Sequence, residues 1–222
     1  MLVNEFIGSI LLTQLGVATP ERAIVNIDGD CEGVGEVGLF RPGLHFGSRY
    51  PGAPDTVAVY DFLPDALVQK VHNRGHFIGA LVFDKWVSNI DSRQAIFFRQ
   101  PAIPTVPGPA AGSWVTQMID NGSTFAGSEW TFRVSAVQGI YGRSVVYGPD
   151  FSIRACEPWL HALLELKFDV LNQAIAELPP EWISGDEQAL DRLLVRLYER
   201  QLRVPAMLKQ AFPRRLRASP AR

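Results

Sequence analysis

Two aspartates carry the chemistry most legible in this chain. Asp91 follows an apolar, helix-like run from Phe77 to Ile90 and precedes a strand-like run, Ala95-Ile96-Phe97-Phe98. A Pro- and Gly-rich connection, Pro101 to Gly112, turns the chain, and a second strand, Trp114 to Ile119, leads into Asp120-Asn121-Gly122. Antiparallel pairing of these strands would set the residue before the first beside the residue after the second. Two carboxylates so placed, next to a glycine turn, suit a divalent cation and the phosphates it carries. The plain alternative has Asp91 ending a helix and Asp120 forming a turn.

The elements that must position these residues follow from periodicity and punctuation. Val3, Phe6, Ile7, Ile10, Leu11 and Leu15 recur near helical period, with Gly16 as the stop signal. Ala23 to Ile27 reads as a strand, and residues 28–58 as Gly- and Pro-rich loop or short strands. Residues 64–75 read as a short helix opened by Pro64, and 77–90 as a longer buried one with Asn89 as a cap residue at its end. Residues 121–149 are irregular, anchored by Phe125, Trp130, Phe132, Tyr141 and Tyr147. Helices are expected at 157–178, 186–202 and 204–212, followed by a basic tail, 214–222, that reads as frayed and solvated. The class is α+β, a small sheet region followed by a helical body.

Composition narrows the partners. With 222 residues, 47% hydrophobic and 20% charged, the chain has material for a substantial core. A net charge of −2 gives no electrostatic reason to expect nucleic acid or an anionic membrane. Two distant cysteines, Cys31 and Cys156, argue against a disulfide framework and for a reducing, cytoplasmic setting. No apolar run reaches the ~18 residues of a membrane span. The four histidines, His45, His72, His76 and His161, form no metal-ligand pattern.

Phosphoryl transfer needs cations on the phosphates and a group that orients the attacking hydroxyl. Asp91, after a helix, has the order expected of the orienting acid, and Asp120, beside Gly122, that of the metal ligand. The segments Phe83-Asp84-Lys85-Trp86-Val87-Ser88-Asn89-Ile90-Asp91-Ser92-Arg93-Gln94-Ala95-Ile96-Phe97-Phe98 and Met118-Ile119-Asp120-Asn121-Gly122 resemble the HipA-like kinases of bacteria. Leu2-Val3-Asn4-Glu5, Phe46 to Gly52, and Gly139 to Tyr147 look similar too; the resemblance spans most of residues 2–150 and is loose beyond 155. It implies a protein-kinase-like fold and ATP- and Mg²⁺-dependent phosphorylation of protein Ser or Thr. Asp91 would then be catalytic, Asp120 would bind Mg²⁺, and Glu5 would lie on the helix whose acid pairs the nucleotide-binding lysine. Glu5 also reads as an ordinary acid of a helix first turn.

Two departures accompany the resemblance. Kinase-type folds place a glycine-rich loop and a strand lysine before the first helix, whereas this chain starts at that helix. The expectation is therefore a fragment, a misplaced start or a natural remnant: residues 1–60 remain from the N-terminal lobe and 61–213 form the C-terminal lobe. An apolar face on the 3–16 helix would then be exposed and promote self-association. A non-catalytic, pseudokinase-like module is the competing reading. Second, many relatives carry Asn five residues after the catalytic Asp, where this chain has Ile96. The nearest amide is Gln94, which reads as a metal ligand or as a strand-edge surface residue. Arg93 reads as a catalytic cation on phosphate or as the partner of an exposed acid.

Overall fold

The computed structural model describes residues 1–29, 41–101, 110–132, 139–148 and 151–211. Cys31, most of the Pro- and Gly-rich connection and the basic tail lie outside the described residues. The first helix, α1 (Leu2–Gln14), ends as Gly16 predicted: Val17 N–H donates to Leu12 O and Gly16 N–H to Thr13 O, with Gly16 at φ 70°. A hairpin of β1 (Arg22–Ile27) and β2 (Gly43–Ser48) follows. Next come β3 (Val59–Tyr60), the short α2 (Asp65–Val68), α3 (His76–Val87), β4 (Gln94–Arg99) and β5 (Trp114–Ile119). The sheet region is two small antiparallel sheets, β1-β2 and β3-β4-β5.

The helical body departs from expectation at two places. Residues 157–178 form two helices, α4 (Glu157–Glu165) and α5 (Phe168–Ala176), because Leu166 and Lys167 adopt extended ψ values of 119° and 156°. A single turn, α6 (Pro180–Ile183), starts at the second residue of Pro179-Pro180. Then come α7 (Glu187–Arg200) and α8 (Val204–Ala211), with Pro205 in the first turn of α8. The expected 64–75 helix shrinks to α2 and turns. These results fix an α+β architecture. Among the described residues no helix is long and apolar enough to cross a membrane.

Helix α3 is the axis of the core. Its sequence, HFIGALVFDKWV, is apolar around nearly its whole circumference, so it is buried on all sides rather than lying on a surface. Trp86 is fully buried and donates its indole N–H to Leu197 O of α7 (2.8 Å). Arg200 returns the contact, donating to Trp86 O (2.8 Å) and Lys85 O (3.0 Å) and so satisfying carbonyls left open at the end of α3.

The apolar face of α1 is covered, contrary to the exposed surface expected from the sequence. Phe6, Ile7, Ile10, Leu11 and Leu12 belong to one hydrophobic cluster with α3, β4, β5, α4, α5, α7 and α8. Asn4 and Gly8, one turn apart and flanked by these apolar residues, pack against the segment after β5. A Cβ at Gly8 would stand 2.6 Å from Asn121 Cβ, so only glycine lets this helix approach so closely. Gly8→Ala is therefore expected to lower stability by about 1–3 kcal/mol through overpacking, read as a reduced midpoint in urea at unchanged slope. An unchanged midpoint would show that the loop can yield.

Candidate functional site

The site begins with a charge in an apolar helix. Asp84 lies on α3 with its carboxylate fully buried, and burial of a carboxylate demands a cation and several donors. Arg93, 2% exposed, donates to it through Nε (3.0 Å) and Nη2, and Asn89 Nδ2 donates a third bond (3.0 Å). The remaining guanidinium nitrogen of Arg93 gathers the far side of the sheet: Nη1 donates to Ile119 O (2.8 Å), Asp120 O (3.1 Å) and Asn121 Oδ1 (3.0 Å). Burial opposes the charge on Arg93, but the Asp84 carboxylate more than compensates and holds its pKa above the ordinary value.

This network aims both aspartates. Helix α3 stops at Ser88, which adopts a left-handed conformation (φ 57°), one residue earlier than the cap expected at Asn89. Asn89 instead bridges, giving its amide N–H to Asp84 and accepting the Asp91 backbone N–H on Oδ1 (3.1 Å). Asp91 is exposed, its Oδ1 accepts Ser92 N–H (2.7 Å), and its carbonyl accepts Gly139 N–H (3.1 Å). At φ 69°, and with a would-be Cβ 2.2 Å from Asp84 Cβ, position 139 accepts only glycine.

Strand register separates the acids more than the sequence suggested. Gln94 pairs with Ile119, so the residue across from Asp120 is Arg93, and Asp91 lies two residues further out. Asp120 itself adopts a positive φ (61°) in its turn. Its Oδ2 accepts a hydrogen bond from Gln94 Nε2, so the Gln94 oxygen points elsewhere in this rotamer; turning the amide would present it.

Glu5 joins this group from α1. Its Oε2 accepts Asn121 N–H (2.9 Å), and its Oε1 and Asp120 Oδ1 both lie within 4 Å of where a Cβ at Gly122 would stand. Burial, followed by the Asp120 charge, raises the Glu5 pKa above its usual value despite the Asn121 N–H. Thus Glu5, expected to pair a lysine, is committed to the backbone of the Asp-Asn-Gly segment. Its neighbour Asn4, 1% exposed, holds the same segment, donating to Gly122 O, Thr124 O and Gly127 O (2.9–3.1 Å) and accepting from Trp130 Nε1. Phe125, Ala126, Trp130 and Phe132 also have positive φ, a strained run that these bonds hold in place.

The structure thus brings Glu5, Gln94 and Asp120 together, leaves Asp91 two residues further out along the hairpin, held by Asn89 and Gly139, and withdraws Arg93 from solvent. Arg93 is a corrected assignment: its partner is a buried acid, and its N–H groups are spent on protein acceptors rather than facing a phosphate. Asp84, Asn89, Asn4 and Gly139 were missed as positioning residues. The available signal was Asp84 itself, an acid inside an apolar helix. Oxygen donors from Asp120, Gln94 and Glu5 match a hard cation, although among the described residues no three His, Cys, Asp or Glu side chains converge to hold one.

The second face of the β4-β5 hairpin carries the exposed Gln94 and the half-buried Ile96, Gln117 and Ile119, while Phe98 and Val115 on that face are buried against Val57; the face opposite buries Ala95, Phe97, Thr116 and Met118. A cleft of about 430 Å³ opens there, lined by Glu21, Arg49, Tyr50, Pro51, Gly52 and Gln117. Gln117 Oε1 is buried without a hydrogen-bond partner among the described residues. Cys156, also buried, has its thiol pushed up to about 12 by desolvation and is unsuited to nucleophilic work. The sequence matches no protein-family model, and no curated protein matches it.

Arg93→Met should cost about 3–5 kcal/mol by leaving Asp84 uncompensated, and pairing it with Asp84→Leu should recover part of that loss. Urea unfolding of the single and double variants measures the coupling; strictly additive losses would refute it. Glu5→Gln should remove a pH dependence. A raised folded-state pKa makes wild-type stability greatest below the unfolded value of 4.5 and lowers it as pH rises through the folded pKa. The variant should therefore gain relative to wild type as pH rises above 4.5, read from melting curves across pH; a constant difference would remove Glu5 as the titrating group.

Proposed function

We propose that this chain binds a magnesium nucleotide and transfers its terminal phosphoryl group to a hydroxyl, in the manner of the HipA-like kinases it resembles. The observation that carries the reading is the shared buried network: one guanidinium ties the Ile119 and Asp120 carbonyls to the Asp84 carboxylate, and Asn89 ties that carboxylate to the Asp91 backbone. Such rigid support is what positioned carboxylates need for phosphoryl chemistry. Asp120 and Gln94 would hold Mg²⁺, with Glu5 close by, and the ion would supply charge neutralisation on the phosphates. Asp91, exposed and held by Asn89 and Gly139, would accept a hydrogen bond from the acceptor hydroxyl and orient it for in-line attack.

The cleft at Gln117 supports the same reading. Gln117 precedes Asp120 by three residues of strand, about 10 Å, a separation suited to a ribose and phosphate chain. The unpartnered Gln117 Oε1 would accept an N–H of a base lodged beside Tyr50. A protein Ser or Thr is the acceptor class implied by the resemblance.

A non-catalytic, pseudokinase-like role is favoured by one observation. Arg93, the cation nearest Asp91 in sequence and across the strands from Asp120, is consumed internally, and Arg49 at the cleft is paired with Glu21 (2.7 Å). Thermal unfolding with and without Mg-ATP separates the readings. At ~100 times its dissociation constant the ligand should add about 2.7 kcal/mol, or roughly 5–10 °C for a chain of this size. A magnesium-dependent shift lost in Asp120→Asn is expected; no shift would leave the non-catalytic reading.

A further inference from the structure

We infer that the outer edge of β1 is a dimerisation edge, at which a second copy of this chain adds its own β1 antiparallel about a two-fold axis at Val25. The argument rests on which backbone groups are spent. Arg49 N–H donates to Glu21 O (2.8 Å), and the register pairs Ala23 with Gly47, Val25 with His45 and Ile27 with Gly43. Odd-numbered residues of β1 therefore exchange bonds with β2, and Arg22, Ile24 and Asn26 turn their N–H and C=O groups to the other side. Among the described residues nothing on the backbone meets them there. The far edge of β2 is covered differently: Leu44 O accepts the indole N–H of Trp182 (3.0 Å), and Phe46 packs edge-on to Phe6.

An open six-residue edge without Pro, Lys or a bulge lacks the devices that keep strands apart. Ile24 and Val25, each 43% exposed, add apolar surface on alternate faces of the ribbon. A ribbon of two strands is marginal in water, whereas four strands, β2-β1-β1-β2 across the two-fold, form an ordinary sheet.

Charge and register choose a second copy as the occupant. With Val25 on the axis, Ile24 and Asn26 of each copy exchange both backbone bonds, and the two valines meet as the close, non-hydrogen-bonded pair. Arg22 then stands opposite Asp28 of the second copy, twice. Arg22 is already fixed by Glu177 (2.7 Å) and by stacking over Phe6 (5.5 Å). Asp28 is exposed and meets only Asn26 Nδ2 (3.2 Å) among the described residues, so it is available for a cation.

The test is sedimentation equilibrium of the 222-residue chain across a wide concentration range, combined with amide hydrogen exchange. A dimer is expected, with the Ile24 and Asn26 amides slowing as concentration rises while those of Ala23 and Val25 stay protected throughout. Ile24→Pro removes only an outward N–H and should give a folded monomer; Val25→Lys sets like charges on the axis and should do the same, with unchanged far-ultraviolet dichroism. A monomer at all concentrations would overturn the proposal. So would a dimer that survives both substitutions, or one in which the Ile24 and Asn26 amides still exchange freely.

Discussion

A desolvated ion pair is the constraint on which the arrangement of this protein turns. Asp84 sits inside a helix whose other residues, His76 and Lys85 apart, are apolar, and its charge is tolerable because Arg93 reaches it with two donors and Asn89 with a third. Arg93 must itself be buried to do so, and its remaining hydrogen bonds must end on protein acceptors. Those acceptors are Ile119 O, Asp120 O and the Asn121 side chain, directly across the hairpin where β5 ends. One side chain thereby fixes the exit from α3, the entry to β4 and the exit from β5. The loop geometry around Asp91 and Asp120 is a consequence of satisfying one buried carboxylate.

The second support comes from α1, and it is of another kind. Asn4, Glu5 and Gly8 present a polar amide, a carboxylate and a bare Cα to the segment that starts at Asp120. Strained backbone from Asp120 to Phe132 persists because these contacts over-determine it. The apolar residues of the same helix are buried in the main core. Helix α1 therefore transmits the rigidity of the core to the candidate site, and the raised pKa of Glu5 reflects first its burial there and then the charge of the neighbouring Asp120.

Sequence periodicity identified the helices and the β4-β5 hairpin because each has a one-dimensional signature: apolar residues at helical spacing, alternation in a strand, glycine or proline at an end. The signature faded where two helices abut. Between α4 and α5 the apolar pattern continues through Leu166 and Lys167, and only the extended ψ values there divide it. The sequence reading also left α1 with an exposed face, since its partners on α5 and on the segment after β5 come from more than a hundred residues away.

For the candidate site, the sequence by itself singled out two acids by residue type and local order, Asp91 after a buried helix and Asp120 before Asn-Gly. Their separation, the withdrawal of Arg93 and the commitment of Glu5 to backbone were decided only in three dimensions. The physical reason is that a charged side chain's role depends on whether it is desolvated and by what it is paired. Asp84 and Arg93 lie nine residues apart, and nothing in that spacing says that both are buried. Only the packing of α3 against the sheet removes water from them, and from that moment their charges belong to the fold rather than to a ligand.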